Sequence, residues 1–533
     1  MSVDDHRKLL AGVRITGLWT LLSRVLGMLR DMATAALLGA GGGAAADAFV
    51  VAFRIPNLFR RLFGEGALAA SYLPIFSAQW EQDRAAAWRL ASVVLGVLSG
   101  LMLMLVAAGE LLLWLTSLVF SGDEDLRLLL GLTAVMLPYV LCICVTAQLS
   151  ATLHALGRFA LPAIVPTVLN LVWLGGAWLV APRFSDDQAT QAYILAFCVL
   201  IGGALQLLLQ VPTLWRLGFR FQFDWSGARE GLMRVVRNML PMMFGLAIEQ
   251  INTLLDSMIA WALAGSGPIG WLGGATYPME QGAAAALYYA SRLYQFPLGM
   301  LGVAVATVFF PLLARHAGRG ELHRIGPDLS LGLQLVIFLA VPASVGLMLL
   351  SLPITELIFQ RGVFTAEDSQ RTAALIATFG GGVWALCALP VVIRGFYAVG
   401  DRRTPLVAGS VAVAVNLLLN LLLVWPLAEV GLAAATVVAA VVQLLILLVV
   451  MSRLHALNWR GLAGTTARAV AASAVMAVAC WAVLLLTPSD IAGARAVRVV
   501  APAVVGGIAY LVAYRLLGGR EFALLWSRGD DRP

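Results

Sequence analysis

The feature that most constrains this chain is the length of its apolar runs. Segments such as 404–425 carry no charged residue at all, and a helix needs about 20 apolar residues to cross a bilayer. Such a run recurs along the whole chain. Of the 533 residues 61% are hydrophobic and 12% are charged, against about 25% charged in an average soluble domain. Water cannot be the main solvent for that surface. In hydrocarbon every backbone amide must be satisfied within its own segment, which selects helices. The expectation is an all-α polytopic membrane protein of about fourteen spans, from 14–39 at the start to 494–517 at the end, with little room for an extramembrane domain.

The residue inventory removes several chemistries. Lys8 is the one lysine, so a P-loop, which places a lysine after a glycine-rich run, is absent. The cysteines Cys142, Cys144, Cys198, Cys387 and Cys480 lie in apolar runs without a C-x-x-C pair and read as small core residues. His6, His154, His316, His323 and His455 fall in expected loops or at helix ends, with no H-E-x-x-H pattern. The N-terminal segment lacks a small-residue cleavage site, so no removable signal peptide is expected. The charge of +7 is the sort of excess that draws nucleic acid to a soluble protein. Here it is better read as arginine collected on one side of a membrane, and nucleic acid is not an expected partner.

Arginine placement gives the orientation. With the N-terminus inside, the inside segments hold Arg7, Arg84, Arg158, Arg216, Arg319, Arg402, Arg403, Arg460 and Arg528 among others. The outside loops are acidic, as at Asp123-Glu124-Asp125 and Asp186-Asp187. That asymmetry places both termini in the cytoplasm. The chain also repeats itself. Ala155, Gly157 and Pro162 match Ala398, Gly400 and Pro405 at an offset of 243, and Arg54…Pro74 matches Arg292…Pro311 at an offset near 238. An even number of spans per repeat preserves orientation, so two parallel six-helix lobes are expected. Their extents would be 1–215 and 216–453, with 454–533 holding two further helices and a cytoplasmic tail.

Charges inside apolar runs are functional candidates by default, because each costs several kcal/mol in hydrocarbon. Span 1 carries Arg24, Arg30 and Asp31; span 2 carries Asp47, Arg54, Arg60 and Arg61, with Glu65 one turn further; span 8 carries Arg292 beside Tyr288, Tyr289 and Gln295. Snorkelling to the headgroups accounts for Arg60 and for Arg394 near the end of span 10. It does not account for Arg24, Arg30 and Arg292. A water-filled cavity with so many guanidinium groups calls for an anion, and their planar fork matches phosphate. Apolar walls around it suit an anionic head joined to a hydrocarbon tail.

A second group combines Asp256 with Asn416, Asn420 and Thr436. Interhelical hydrogen bonding is the first reading of the asparagines. The charge of Asp256 keeps open a site for a small hard cation. The glycine-rich loop 265–283, with Trp271 and Tyr277, reads as a flexible outside connection.

Four segments resemble the MurJ (MviN) family of lipid II flippases: Ser23–Asp31, Asp47–Ala67, Leu287–Gly299 and Phe396–Pro405. The resemblance implies the MOP exporter fold, two six-helix lobes plus two helices. It implies transport of undecaprenyl-pyrophosphate-linked peptidoglycan precursor from the cytoplasmic to the periplasmic leaflet of a bacterial inner membrane. It places the cavity arginines at Arg24, Arg30, Arg60 and Arg292 with acids at Asp31 and Asp47, which moves Arg60 out of the snorkelling class. Ser291 stands where many relatives have an acid. The group at Asp256, Asn416, Asn420 and Thr436 resembles a sodium site of the family, with its charge weakened by asparagine at 420. No organic cofactor is implied; the drive would be sodium, the membrane potential or product removal. Lipid II and membrane lipids are the expected partners, together with cell-wall synthesis proteins. The alternatives are export of another lipid-linked oligosaccharide, a cation-coupled drug exporter of this fold, and a membrane transferase. The drug exporter would want an acidic cavity, and the transferase a base or metal carboxylates at the membrane surface.

Overall fold

The computed structural model describes residues 3–41, 43–64, 67–120, 122–222, 224–269, 273–487, 494–519 and 521. Glu65 and Trp271 lie outside the described residues. The elements in order are α1 (Val3–Leu38), α2 (Ala44–Phe59), α3 (Ala67–Gln82), α4 (Arg84–Val119), α5 (Glu124–Met136), α6 (Tyr139–Ala155), α7 (Ala160–Gly175), α8 (Ala181–Phe184), α9 (Gln188–Arg216) and α10 (Trp225–Ala262). They continue with α11 (Ala283–Pro297), α12 (Ala304–Gly318), α13 (Ile325–Leu349), α14 (Ser351–Ile358), α15 (Ala366–Ala398), α16 (Arg403–Leu454), α17 (Trp459–Leu486) and α18 (Ala494–Leu516). No strand occurs among the described residues; two isolated bridges, Ala264 with Met279 and Pro268 with Thr276, are the β-type pairings.

Ten runs among the described residues are long and apolar enough to cross a membrane, or eleven when α10 is counted as one span bent by 46° between Met243 and Gly245. Pro241 lies in α10 just before that bend. α16 runs for 52 residues across a break at Ala428. Dividing it there, and counting the two charged N-terminal runs that an apolar criterion passes over, is consistent with the fourteen spans expected. Helix starts are fixed locally: the carboxylates of Asp83, Asp123 and Asp187 accept from Ala85, Leu126 and Thr190 N–H groups, and Thr365 with Asp368 forms a capping box.

The chain divides into two compact units. The first is 1–261 with 361–364, and the second is 262–360 with 365–533. In the first, α7 packs on α1 and on α9, and α2 packs on α5. Its interior includes Phe49, Tyr72, Phe76, Tyr139 and Trp173. In the second, α15 is central, with α11, α13, α14 and α16 against it. Its core joins Leu329, Leu333, Val336, Val383, Val392, Phe396 and Leu447. α17 and α18 pair with each other and against α13 through Phe338, Tyr510 and Tyr514.

The internal repeat has a structural counterpart. Gly157 and Gly400 both take positive φ, 71° and 83°. Each follows a helix end closed in the same way: Arg158 N–H donates to Leu153 C=O at 2.8 Å, and Asp401 N–H donates to Phe396 C=O at 3.0 Å. This is the Schellman closure that a left-handed glycine permits. The second match extends to helix type. A π-helical turn, Arg60–Gly64, begins six residues after Arg54, and another, Leu298–Val303, begins six residues after Arg292. Span 2, expected as one helix over 45–77, is therefore not a continuous α-helix.

The loop after α10 corrects a second expectation. Its described part is held by Gly265 N–H to Met279 C=O at 2.9 Å and by Ile269 N–H to Ala275 C=O at 2.7 Å. Ile269 and Met279 are buried. Arg371 reaches it from α15, donating from Nη1 to the Gln281 carbonyl at 3.1 Å while its Nε pairs with Glu429 at 2.9 Å. Glycine content suggested flexibility; buried side chains and a long-range arginine supply the order.

Candidate functional site

The charged residues of the first two spans all belong to the first unit. Arg30 points from α1 and is almost enclosed, with 11% of its side chain exposed. Its Nε and Nη2 donate to the Asp31 carboxylate at 3.1 and 2.8 Å, and its Nη1 donates to Asn170 Oδ1 at 3.2 Å. Its guanidinium carbon lies 4.6 Å from the Trp173 ring and 5.9 Å from the Phe53 ring. Apolar helix and charged group coexist here because the charge is paired, hydrogen-bonded and laid on aromatic faces.

Helix α2 brings the remaining basic groups. Arg54, Arg60 and Arg61 are half-buried. Arg60 donates from Nε to Asn57 Oδ1 at 2.9 Å. The Nε of Arg61 is buried without a hydrogen-bond partner among the described residues. Arg60 and Arg61 open the π-helical turn. Asp47 is buried in the first turn of α2, where a carboxylate complements the helix dipole. Arg24 is exposed on α1.

In the second unit, Arg292 is half-buried on α11. Its Nη2 donates to the Tyr288 hydroxyl at 2.6 Å, and its guanidinium carbon lies 4.5 Å from the ring of the same tyrosine. Ser291, which stands where many relatives have an acid, turns its hydroxyl back to the Tyr288 carbonyl at 2.7 Å. Arg292 is thus supported by tyrosine one turn back, as its i, i+4 spacing allows.

The structure gathers three of the four candidate sodium residues. Asn420 Nδ2 donates to Asn416 Oδ1 at 3.0 Å, Asn416 Nδ2 lies 3.3 Å from Thr436 Oγ1, and the Thr436 hydroxyl donates to Leu432 C=O at 3.1 Å. Asn416 and Asn420 are buried. Asp256 belongs to α10 in the first unit and is half-buried.

Two residues of this site escaped the reading of the sequence, Asn170 and Trp173, both on α7. Each looks like an ordinary member of an apolar span. Asn170 meets Arg30 across 140 residues of sequence, and no local pattern signals such a pairing. Chemically, the first unit holds one arginine, Arg30, that is nearly enclosed, paired with a carboxylate and laid on aromatic rings, with further arginines half-buried on the helix that follows.

Comparison with known proteins gives a consistent picture. A family model described as "Lipid II flippase MurJ" matches residues 34–496. A probable lipid II flippase MurJ of Rhizobium tropici is 36% identical over 465 residues, covering 86% of this chain and 84% of the relative. The corresponding protein of Vibrio cholerae is 34% identical over 462 residues, covering 84% of this chain and 83% of the relative. Among solved structures, a lipid II flippase MurJ in an inward closed conformation aligns with a TM-score of 0.76 at 21% identity, covering 95% of this chain and 99% of its own. An inward-facing multidrug resistance MATE transporter of the MOP superfamily aligns with a TM-score of 0.63 at 14% identity, covering 81% of this chain and 95% of its own.

Proposed function

Because the chain belongs to the MurJ family of lipid II flippases, we propose that it moves lipid II from the cytoplasmic to the periplasmic leaflet by alternating access, with its intramembrane arginines holding the pyrophosphate. The observation that carries this reading is Arg30, a charge held ready inside an apolar bundle by Asp31, Asn170 and Trp173. Arg24, Arg54, Arg60 and Arg61 are the further candidates in the first unit, with Asp31 and Asp47 balancing part of their charge, and Arg292 is the candidate in the second. Each guanidinium offers paired N–H donors to phosphate oxygens. The polyprenyl tail keeps to hydrocarbon throughout. No covalent bond is made or broken, so the chain acts as a transporter and not as an enzyme.

The setting is the bacterial inner membrane with both termini in the cytoplasm, supported by the arginine excess of the inside segments. Cell-wall synthesis proteins are the partners that lipid II supply implies. In cells depleted of their own flippase, expression of this chain should restore outward exposure of lipid II, scored by a lipid II-cleaving or lipid II-binding probe added outside. A well-inserted chain that restores none would overturn the substrate assignment and point to another lipid-linked oligosaccharide.

For the drive we propose that sodium is held by Asn416, Asn420 and Thr436 of the second unit, with Asp256 of the first unit the one acid among the candidate residues. Only Asp256 carries charge, and hard cations are held by charge count as well as by oxygen number. The ion is therefore bound weakly, and the membrane potential, worth about 2.3 kcal/mol per charge per 100 mV, and product removal are the other drives in this reading. Asn420→Asp should make lipid II exposure more sensitive to replacement of sodium by choline than it is in the wild type. Equal insensitivity of both proteins would remove sodium from the mechanism.

A further inference from the structure

We propose that Trp173 is the positioning residue that makes Arg30 a preorganised anion ligand; the inference rests on the assignment of Arg30 to substrate binding. Trp173 is fully buried, with 1% of its surface exposed. Phe49 and Phe53 meet its ring edge-on, at centroid distances of 5.4 and 5.0 Å and interplanar angles of 84° and 89°. The indole is packed between them. In that setting it acts on Arg30 through two separate handles.

The first handle is the ring face, 4.6 Å from the guanidinium carbon. A cation over an indole face is attracted by the ring quadrupole, and the attraction grows as water is removed. The second handle is the indole N–H, which donates to Thr34 Oγ1 at 3.0 Å. The Thr34 hydroxyl in turn donates to the Arg30 carbonyl at 2.9 Å. One side chain on α7 thereby fixes both the backbone turn of α1 that bears Arg30 and the plane of its guanidinium. Asp31 and Asn170 set the rotation within that plane through their bonds at 2.8 and 3.2 Å.

The physical consequence concerns entropy. A free arginine side chain carries about 2 kcal/mol of rotamer entropy, and a ligand that must order it binds correspondingly less well. Trp173 removes that requirement before the substrate arrives. Its own contact with substrate is not required.

The test is binding of lipid II to the purified full-length chain, measured for four proteins: wild type, Trp173→Leu, Arg30→Ala and the double variant. Trp173→Leu should weaken binding by roughly 3- to 30-fold, the range for a partly desolvated cation–π contact. Trp173→Phe, which keeps an aromatic face, should recover most of that loss and stay within about threefold of wild type. In the Arg30→Ala background Trp173→Leu should add nothing, because the group it positions is gone. An equal loss in both backgrounds would show a general packing role and overturn the inference, as would unchanged binding by Trp173→Leu. Where Trp173→Leu fails to fold, Trp173→Phe carries the same cycle: its smaller loss must vanish in the Arg30→Ala background. If Arg30→Ala alone binds as wild type, the failure belongs to the site assignment and not to the positioning role.

Discussion

Arg292→Ala should abolish lipid II exposure while the protein accumulates in the membrane at wild-type level. Arg292 is held by Tyr288 on its own helix through the 2.6 Å hydrogen bond and the 4.5 Å ring contact, and accumulation at wild-type level is the control that separates loss of transport from loss of fold. What is lost is a charged fork directed at phosphate. Truncating one side of a desolvated, hydrogen-bonded charge pair costs about 2–5 kcal/mol, and the middle of that range is a loss of several hundredfold. Arg24→Ala should behave similarly, since Arg24 is exposed and has little to contribute to packing. Arg292→Lys separates charge from geometry: lysine keeps the charge and loses the bidentate fork, so partial activity is expected. Lipid II exposure in flippase-depleted cells, normalised to membrane protein by immunoblot, is the measurement. Wild-type exposure by Arg292→Ala would remove it from the substrate path.

Arg371→Ala should lower stability more than any loop substitution elsewhere in the second unit. Arg371 and Glu429 have 16% and 11% of their side chains exposed and pair at 2.9 Å, and Arg371 also donates to the Gln281 carbonyl at 3.1 Å. Removing the arginine leaves Glu429 buried beside no cation, a loss of about 3–5 kcal/mol. The double variant Arg371→Ala/Glu429→Ala should recover part of the loss, because the unpaired charge goes with it. The neighbouring Ala428 takes φ 49° and ψ −138°, the sole non-glycine with positive φ among the described residues. Ala428→Gly should therefore raise the thermal midpoint, by relief of about 1–3 kcal/mol of backbone strain less the entropy of a freer unfolded chain. Thermal unfolding in one detergent, followed by fluorescence-detected size exclusion, reads all three variants. An unchanged midpoint for Arg371→Ala would show the pair to be solvent-screened.

How much was legible in the sequence follows from what kind of interaction carries each feature. Arg30 and Arg292 could be picked out because a charge in an apolar run is conspicuous wherever it sits, whereas Arg60 reads as snorkelling until the family resemblance places it among the cavity arginines. The helices themselves follow from run length and hydrocarbon solvation. Asn170 and Trp173 could not be picked out, because their role exists only once α7 lies against α1. The loop 265–283 misled for a related reason: glycine describes what a backbone is free to do, while Ile269, Met279 and Arg371 decide what it does. The break in span 2 was masked too, since nothing in the residues of Arg60–Gly64 signals π-helical spacing. Asn416, Asn420 and Thr436 were grouped by spacing, and the structure shows them linked by their own hydrogen bonds.

The paired π-helical turns also reset which way their helices face. A turn closed by i to i+5 hydrogen bonds holds one residue more than its α-helical counterpart, so side chains after it are rotated about the helix axis relative to those before it. Arg60–Gly64 and Leu298–Val303 stand at the same distance from Arg54 and Arg292, so each helix turns its face at the same number of residues past its arginine. The third turn, Gly176–Val180, has no counterpart at residues 419–423 of α16, which are regular α-helix.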